Sequence, residues 1–394
     1  MRISAFALAL LPLAASCEPA ADPPAAASRP VAAACVSRPE GSRWAGDYVP
    51  TAVFGDSEDE ALSGIMLAGI AVTDSMVYVM ESGRAALWLL RPDLSVIRRV
   101  GREGQGPGEW RPFGVADYGG SMRWIHASNA GVRLFDGARI QAFSADGRFR
   151  RMLLNGAQEA GLSPMQSRLV HVGDTLLYTT GGYDVMASIA RGGPPRRDDL
   201  IEGRSRWWVW MRANGKASPV LHLGLTPLRK VTVGPAQARP LWDSNGRCVV
   251  ASDGAGPLLV YTAIGSGRQD TMTVPLPDRV ARVEDYVEKM AGLLPPGERL
   301  EPPSAPTRVR DLVIDPDGFV WLLPVQPREA DLDGVEVVRV PLGGGPAVRD
   351  TVRAFPRAFG EPGVFYSEVY GADGELLVAR YARPGLIASQ KGPE

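Results

Sequence analysis

The sequence predicts an all-β protein: a six-bladed β-propeller of four-stranded antiparallel blades, with a short helical insertion between blades four and five. Three observations carry that expectation. Gly (45) and Pro (34) supply dense turn chemistry in 394 residues, which suits many short elements better than long helices. A unit of apolar strand, tight Asp/Gly or Asn/Gly turn and second apolar strand recurs along the chain, and such turns are the strongest short hairpin signals. One or two further strand-like runs follow each hairpin, bringing each unit to the four strands of a blade.

In chain order, the hairpin turns are Asp74-Ser75 before Met76–Met80, Gly119-Gly120-Ser121 before Met122–His126, and Gly173-Asp174 before Thr175–Tyr178. They continue with Ser244-Asn245-Gly246 before Arg247–Val250, Asp315–Gly318 before Phe319–Leu323, and Ala372-Asp373-Gly374 before Glu375–Ala379. The spacing drifts from unit to unit, as blades with variable loops require. The first unit shows its outer strands best, Ala86–Leu90 and Val96–Val100 across a Pro92-Asp93 turn. Gly192–Asp199 reads as a polar insertion in the third unit. Between the fourth and fifth, Val280, Val283, Val287, Met290 and Leu294 recur at steps of three and four, predicting one helical face on the surface. A ring must close, and Val49, Ala52, Val53 and Phe54 are candidates for an N-terminal strand that completes the last sheet and removes its edge.

The ends read differently. Arg2, the apolar run Ile3–Leu13 and the small residues before Cys17 form an export signal far too short to span a bilayer. Leu13-Ala14-Ala15-Ser16-Cys17 resembles a bacterial lipobox, which makes residues 1–17 a lipoprotein-type signal and Cys17 the lipidated residue. Residues 18–45, rich in Ala and Pro, are expected to be a mobile linker, followed by the propeller over 46–388 and a tail at 389–394. Cys35 and Cys248 remain for a compartment that permits a disulfide. Cys248, inside an apolar run, reads as a buried small hydrophobe rather than one half of a bridge.

Lys+Arg 43 against Asp+Glu 44 leaves no cationic footprint for nucleic acid and no electrostatic reason to embrace a membrane. Membrane attachment is expected only through the lipid. The chain is expected to be a monomer facing the periplasm or secreted.

Gly101-Arg102-Glu103-Gly104-Gln105-Gly106-Pro107-Gly108-Glu109-Trp110 resembles the G-R-E-G-x-G-P-G-E-aromatic signature of bacterial exported six-bladed β-propellers related to NHL-repeat proteins. The resemblance implies the fold and an exported, often lipid-anchored, location, and it brings little function. Trp110 replaces the usual Phe, and Arg91-Pro92-Asp93-Leu94 departs from the usual Asp-x-x-Gly turn. Read physically, the glycines describe a loop needing positive φ that crosses from one blade to the next. Arg102, Glu103, Gln105 and Glu109 would then sit near the channel mouth. Arg102 and Glu109 would lock the loop and the adjacent blades, or contact a ligand.

Arg111, Arg168, Arg239 and Arg308 stand at or just before successive inner strands, where they could converge as a cationic ring for a carboxylate, phosphate or polyanionic sugar. Asp117, Asp243, Asp311 and Asp315 mostly occupy turn positions. No metal site or cofactor is assigned, calcium being the one ion weighed. Of the three histidines, His126 ends a hairpin strand and His222 lies in an outer run. His171 is the only one expected to face the channel and the sole catalytic candidate. Trp207-Trp208-Val209-Trp210 alternates across a strand, packed between blades or forming an aromatic shelf. The function expected is a binding or scaffold role at the cell envelope, through the face carrying the 101–110 loop. Its partner would be a small anionic or carbohydrate ligand or an envelope protein. The alternative is a propeller hydrolase or lyase acting on a sugar lactone or similar small molecule in the central channel.

Overall fold

The computed structural model describes residues 31–37, 42–63, 67–110, 125–136, 139–155, 169–172, 175–180, 204–213, 216–227, 241–266, 268–282, 306–326, 334–342 and 344–384. These form an all-β propeller of four-stranded antiparallel blades. The strands pair into six sheets. β1 (Val49–Phe54) precedes the first, which is β2 (Leu67–Val72), β3 (Val77–Glu81), β4 (Leu87–Leu90) and β5 (Val96–Val100). The second is β6 (Ile125–Ser128), β7 (Gly131–Phe135), β8 (Arg139–Phe143) and β9 (Phe149–Asn155). The third is β10 (Leu169–Val172), β11 (Thr175–Thr180), β12 (Arg204–Ala213) and β13 (Lys216–Pro227). The fourth is β14 (Leu241–Ser244), β15 (Cys248–Ser252), β16 (Leu258–Ala263) and β17 (Gln269–Thr273). The fifth is β18 (Val309–Ile314), β19 (Phe319–Pro324), β20 (Val335–Pro341) and β21 (Val348–Val352). The sixth runs β22 (Ala358–Phe359), β23 (Val364–Tyr370), β24 (Leu376–Ala382) and then β1.

The innermost strands neighbour one another, β2 beside β6, β6 beside β10, β14 beside β18, and β22 beside β2. Middle strands are packed on both faces and therefore read as unbroken apolar runs. β3, β4, β8, β15 and β24 are buried throughout, whereas the outer β5 and β17 carry exposed residues. One apolar cluster joins the first and second sheets around Tyr78, Leu89, Trp110 and Phe143. Others join the fourth to the fifth, the fifth to the sixth and the sixth to the first. β1 pairs with β24 from Val49↔Ala382 to Phe54↔Val378, so the N-terminal strand closes the last sheet as expected.

Tyrosines on second strands tie successive sheets. Tyr78 donates to the Ala145 carbonyl at 2.9 Å, and Tyr366 to the Pro92 carbonyl at 2.7 Å. Both acceptors lie in the outer hairpin of the next sheet. Pro92 belongs to the turn that lacks its usual glycine, and there Leu94 adopts φ 70°, the one non-glycine with positive φ among the described residues.

Several expectations are corrected. Ile125 belongs to an innermost strand, not to a second one. Its hairpin turns at Asn129-Ala130 into β7, because the true turn lacks the Asp/Gly signal. Ala372-Asp373-Gly374 joins the second and third strands of the sixth sheet rather than the first and second. In the stretch expected to be helical, residues 278–282 are irregular. The Ala281 N–H donates to the Thr307 carbonyl at 2.7 Å, drawing the chain toward the start of β18 instead of into a helical turn. The rest of that stretch, the 192–199 insertion, residues 1–30 with Cys17, and the tail lie outside the described residues. In β12 the register shifts between Arg206 and Trp208 and again between Val209 and Trp210. Strict alternation of that tryptophan run is therefore interrupted.

The largest correction concerns residues 31–45, expected to be linker. α1 (Val31–Cys35) is a single turn, and Cys35 is disulfide-bonded to Cys248 across 213 residues of sequence. Val31 and Cys35 are buried with the fourth and fifth sheets, and Trp44 and Tyr48 with the fifth and sixth. The segment is a strap over three sheets that runs directly into β1. Composition concealed this, since a few anchors (Val31, Cys35, Trp44) are enough to dock an otherwise small-residue segment.

Candidate functional site

The two ends of the propeller differ. At one end lie the turns between first and second strands and between third and fourth strands, here called the turn end. The strap is docked there. Ser37 N–H donates to the Asp317 carbonyl at 3.0 Å, and Trp44 Nε1 donates to the Val364 carbonyl at 3.0 Å. Asp315 and Asp317 have no exposed surface. Burial pushes the Asp315 carboxyl up, against hydrogen bonds from Ser42, the Phe319 N–H and Trp321. Burial acts on Asp317 too, but hydrogen bonds from Arg43 and Ser37 outweigh it and hold that carboxyl low.

At the opposite end, the chain crosses from outer strand to the next inner strand, and the 101–110 loop is such a crossing. Arg102 and Glu109 form an ion pair, and the Gly106 N–H donates to Glu109 at 2.9 Å. These contacts, the Gly106 N–H first and Arg102 second, lower the Glu109 pKa. Buried Gln141 donates to the Glu109 carbonyl at 2.8 Å and accepts from the Gly108 N–H at 3.0 Å. Arg139, paired with Asp136, donates to the carbonyls of Gln105 and Glu109. Trp110 is fully buried between the first and second sheets. The loop clips two sheets together, and this occupies the Glu109 side chain and the Gln105 carbonyl. The side chains of Glu103 and Gln105 remain at the surface.

A second group at the same end comes from the fifth, sixth and first sheets. In β18 the register shifts between Val309 and Asp311, leaving Arg310 as the unpaired residue of a β-bulge. Bulges re-aim side chains. Arg310 is exposed, yet enclosed enough that desolvation lowers its pKa. Next to it Asp311, buried, pairs with Arg357 just before β22. On β23, Glu368 accepts from the Leu67 N–H at 2.8 Å and from the Tyr370 hydroxyl at 3.1 Å. Tyr370 is 58% exposed, and desolvation and then Glu368 push its pKa up to about 12, against Arg357.

Nearer the axis, His126 on β6 is desolvated, which with Arg133 lowers its pKa to about 4 against the pull of Asp243. Asp243 belongs to the fourth sheet, where it accepts from the Ile314 N–H at 3.0 Å. His126 therefore stands on an innermost strand, correcting the expectation that His171 alone does so. His171 lies on β10 opposite Leu176, and its side chain is outside the described residues. His222 lies on the outer β13.

Of the four ring arginines, Arg111, Arg168 and Arg239 lie outside the described residues. Arg308 donates to the Pro277 carbonyl at 2.9 Å and stands 3.6 Å from Asp278, so it is already engaged. Sequence reasoning missed Arg310, Arg357, Glu368 and Tyr370. Arg310 stands two residues beyond Arg308, which precedes the strand, and nothing in the sequence marks the bulge that sets Arg310 apart. Among the described residues, no group of three or more His, Cys, Asp or Glu is placed to hold a metal ion.

No protein-family model matches the chain, and no curated protein matches it. Solved structures do. A Bacteroides fragilis protein named for its inferred export aligns at 8% identity over 85% of this chain and 95% of its own, with a TM-score of 0.46. A luciferin-regenerating enzyme aligns at 12% identity over 86% and 96%, with a TM-score of 0.44. The calcium-binding protein regucalcin from Agrobacterium tumefaciens aligns at 10% identity over 85% and 96%, with a TM-score of 0.43. Similarity at this level transfers neither ligand nor reaction.

Proposed function

We propose that this chain is an exported binding propeller of the cell envelope, with each of the six sheets one blade, whose working face is the crossing end that carries the 101–110 loop. One observation carries the reading: at the turn end the fourth, fifth and sixth sheets are covered by the protein's own strap, while the crossing end presents exposed polar side chains from several elements, among them Glu103, Gln105, Arg310 and Tyr370. Ligands of propellers are held where inner strands and crossings converge, with a few polar groups fixing orientation. The buried disulfide supports an oxidising compartment. No helix of the described residues is long and apolar enough to cross a membrane, and in this reading attachment comes from lipid on Cys17. The Cys17→Ala variant should then leave the detergent phase, and persistent partitioning would count against the anchor.

The alternative is a hydrolase or lyase acting on a sugar lactone or similar molecule in the channel. It draws support from His126 and Asp243, two titratable groups from different sheets that sense each other electrostatically. A thermal-shift screen over anionic sugars, neutral sugars and calcium separates the two. The binding reading expects a ligand-dependent rise in Tm without turnover. Calcium-dependent turnover, lost in His126→Gln or His171→Ala, would replace it with the enzyme.

A further inference from the structure

We propose that the outer rim of the first and second sheets is a docking surface for an acidic polysaccharide, whose repeated carboxylates are taken by arginines of two neighbouring edge strands. The surface lies on the circumference of the propeller, apart from the crossing end, and stands or falls without that reading.

The charge of the whole chain is balanced, but the charge of its rim is not. The last turn and edge strand of the first sheet, 91–100, carry Arg91, Arg98 and Arg99 against Asp93. Those of the second, 144–155, carry Arg148, Arg150 and Arg151 against Asp146, and neither segment holds a lysine or a glutamate. The corresponding segments of the fourth and fifth sheets, 264–273 and 342–352, carry one arginine and one aspartate each. β13 has a single lysine and no carboxylate, and β1 has no charged residue.

Contacts make the arginines of the two edges one surface. Tyr78 of the first sheet donates to the Ala145 carbonyl at 2.9 Å, which seats the 144–148 turn on that sheet. Asp146 in this turn stands 3.0 Å from Arg148 and 3.7 Å from Arg98 of β5. One carboxylate is thus shared by arginines of two sheets, and Asp93 accepts instead from the Ser95 N–H and hydroxyl. Positive charge is left over on both edges. Arg91, Arg99, Arg148, Arg150 and Arg151 are exposed, and Arg98 is half-buried.

Edge protection does not account for this excess. Charge on an edge strand discourages pairing with another chain, and so does a bulge. β5 and β9 are already bulged, with register shifts that leave out Ile97, Arg150 and Leu153. β17 and β21 pair without a shift and carry little net charge. The arginines therefore sit on the edges that need them least.

The partner follows from what the surface lacks. Among the described residues, Ile97 is the only large apolar side chain exposed on either strand. Protein interfaces need an apolar core, and bilayer-binding surfaces an apolar face to insert. A hydrated chain with a carboxylate on each sugar meets successive guanidinium forks without burying apolar area.

The test is calorimetric titration of the full, oxidised protein with polygalacturonate, dextran, poly-L-glutamate and vesicles containing phosphatidylglycerol, in calcium-free buffer of low salt. Polygalacturonate should bind and neutral dextran should not, and raising the salt to about 0.3 M should weaken binding at least tenfold. The double variant Arg150→Gln/Arg151→Gln should weaken polygalacturonate at least tenfold with Tm unchanged, while Arg150→Lys/Arg151→Lys should keep most of the affinity. Arg349→Gln, on the edge of the fifth sheet, should change nothing. Unchanged affinity in the glutamine double variant, or an equal loss in Arg349→Gln, would overturn the rim as the site. No binding of polygalacturonate, or equally tight binding of poly-L-glutamate or the vesicles, would overturn the ligand class.

Discussion

Arg43 and Asp317 join the strap to the fifth sheet: Nη2 of the guanidinium lies 2.8 Å from a carboxylate with no exposed surface, and the Arg43 backbone N–H adds a second bond of 2.8 Å. The same guanidinium lies 5.1 Å over the Trp44 ring, which is itself buried. Replacing Arg43 with Ala should cost about 2 kcal/mol, the lower end for a charged hydrogen bond to a buried group because the arginine is partly exposed. The pH dependence has a defined sign. The folded Asp317 pKa is depressed, so its contribution is present above the unfolded carboxylate pKa and is lost as pH falls through the folded value. Asp315 is shifted the other way, so its ionisation works against stability as pH rises. Denaturant titrations between pH 3 and 7 should show a shallower acid loss in Arg43→Ala than in the parent.

Cys35 and Cys248 close a loop of 213 residues of sequence separation. In the chain-entropy account, losing so long a loop costs roughly 5 kcal/mol. Cys35→Ser should therefore lower Tm sharply, with a matching fall for the parent in reductant. An unchanged Tm would mean that the strap's non-covalent contacts suffice.

His126 has a folded pKa near 4, below its unfolded value, so stability should decline as pH falls from about 6.5 toward 4, by no more than about 3 kcal/mol. His126→Gln should remove that part of the slope. NMR titration of the imidazole reads the pKa directly, and a value near 6.5 would remove the desolvated setting from the account.

Two glycines separate strain from collision. Gly101 has φ 109°, and an added Cβ would run into the buried Trp110 ring and the Ala85 carbonyl, while Gly246 has φ 84° and open space around it. Gly246→Ala should cost about 1 kcal/mol from backbone strain alone, and Gly101→Ala at least ~2 kcal/mol more through disruption of the clip. Comparable losses in the two variants would contradict the clip.

The propeller class was legible because unbroken apolar strands and Asp/Gly turns are local signals, and Phe54 at the end of the closing strand could be placed from the same pattern. Register was less legible. The hairpin at Asn129-Ala130 places its glycine, Gly131, one residue later than an Asn-Gly pair would, so Ile125 was assigned to the wrong strand. The disulfide escaped because a cysteine in an apolar run and one in an Ala/Pro-rich segment give no pairing signal. Arg102 and Glu109 carried a motif that could be read as loop chemistry, and they pair as one of the two readings expected. Arg310 could not be singled out, since its distinction arises from a bulge and from having no carboxylate partner among the described residues, both products of tertiary structure.

The most direct test is peptide-resolved hydrogen exchange of the oxidised protein with and without the sugar or ion that most raises its Tm in the thermal-shift screen. Slowed exchange over 306–311, 355–358 and 366–370, with 31–44 and 315–318 unchanged, is the predicted result. Slowing confined to the strap and the turns beneath it would contradict the assignment of the working face.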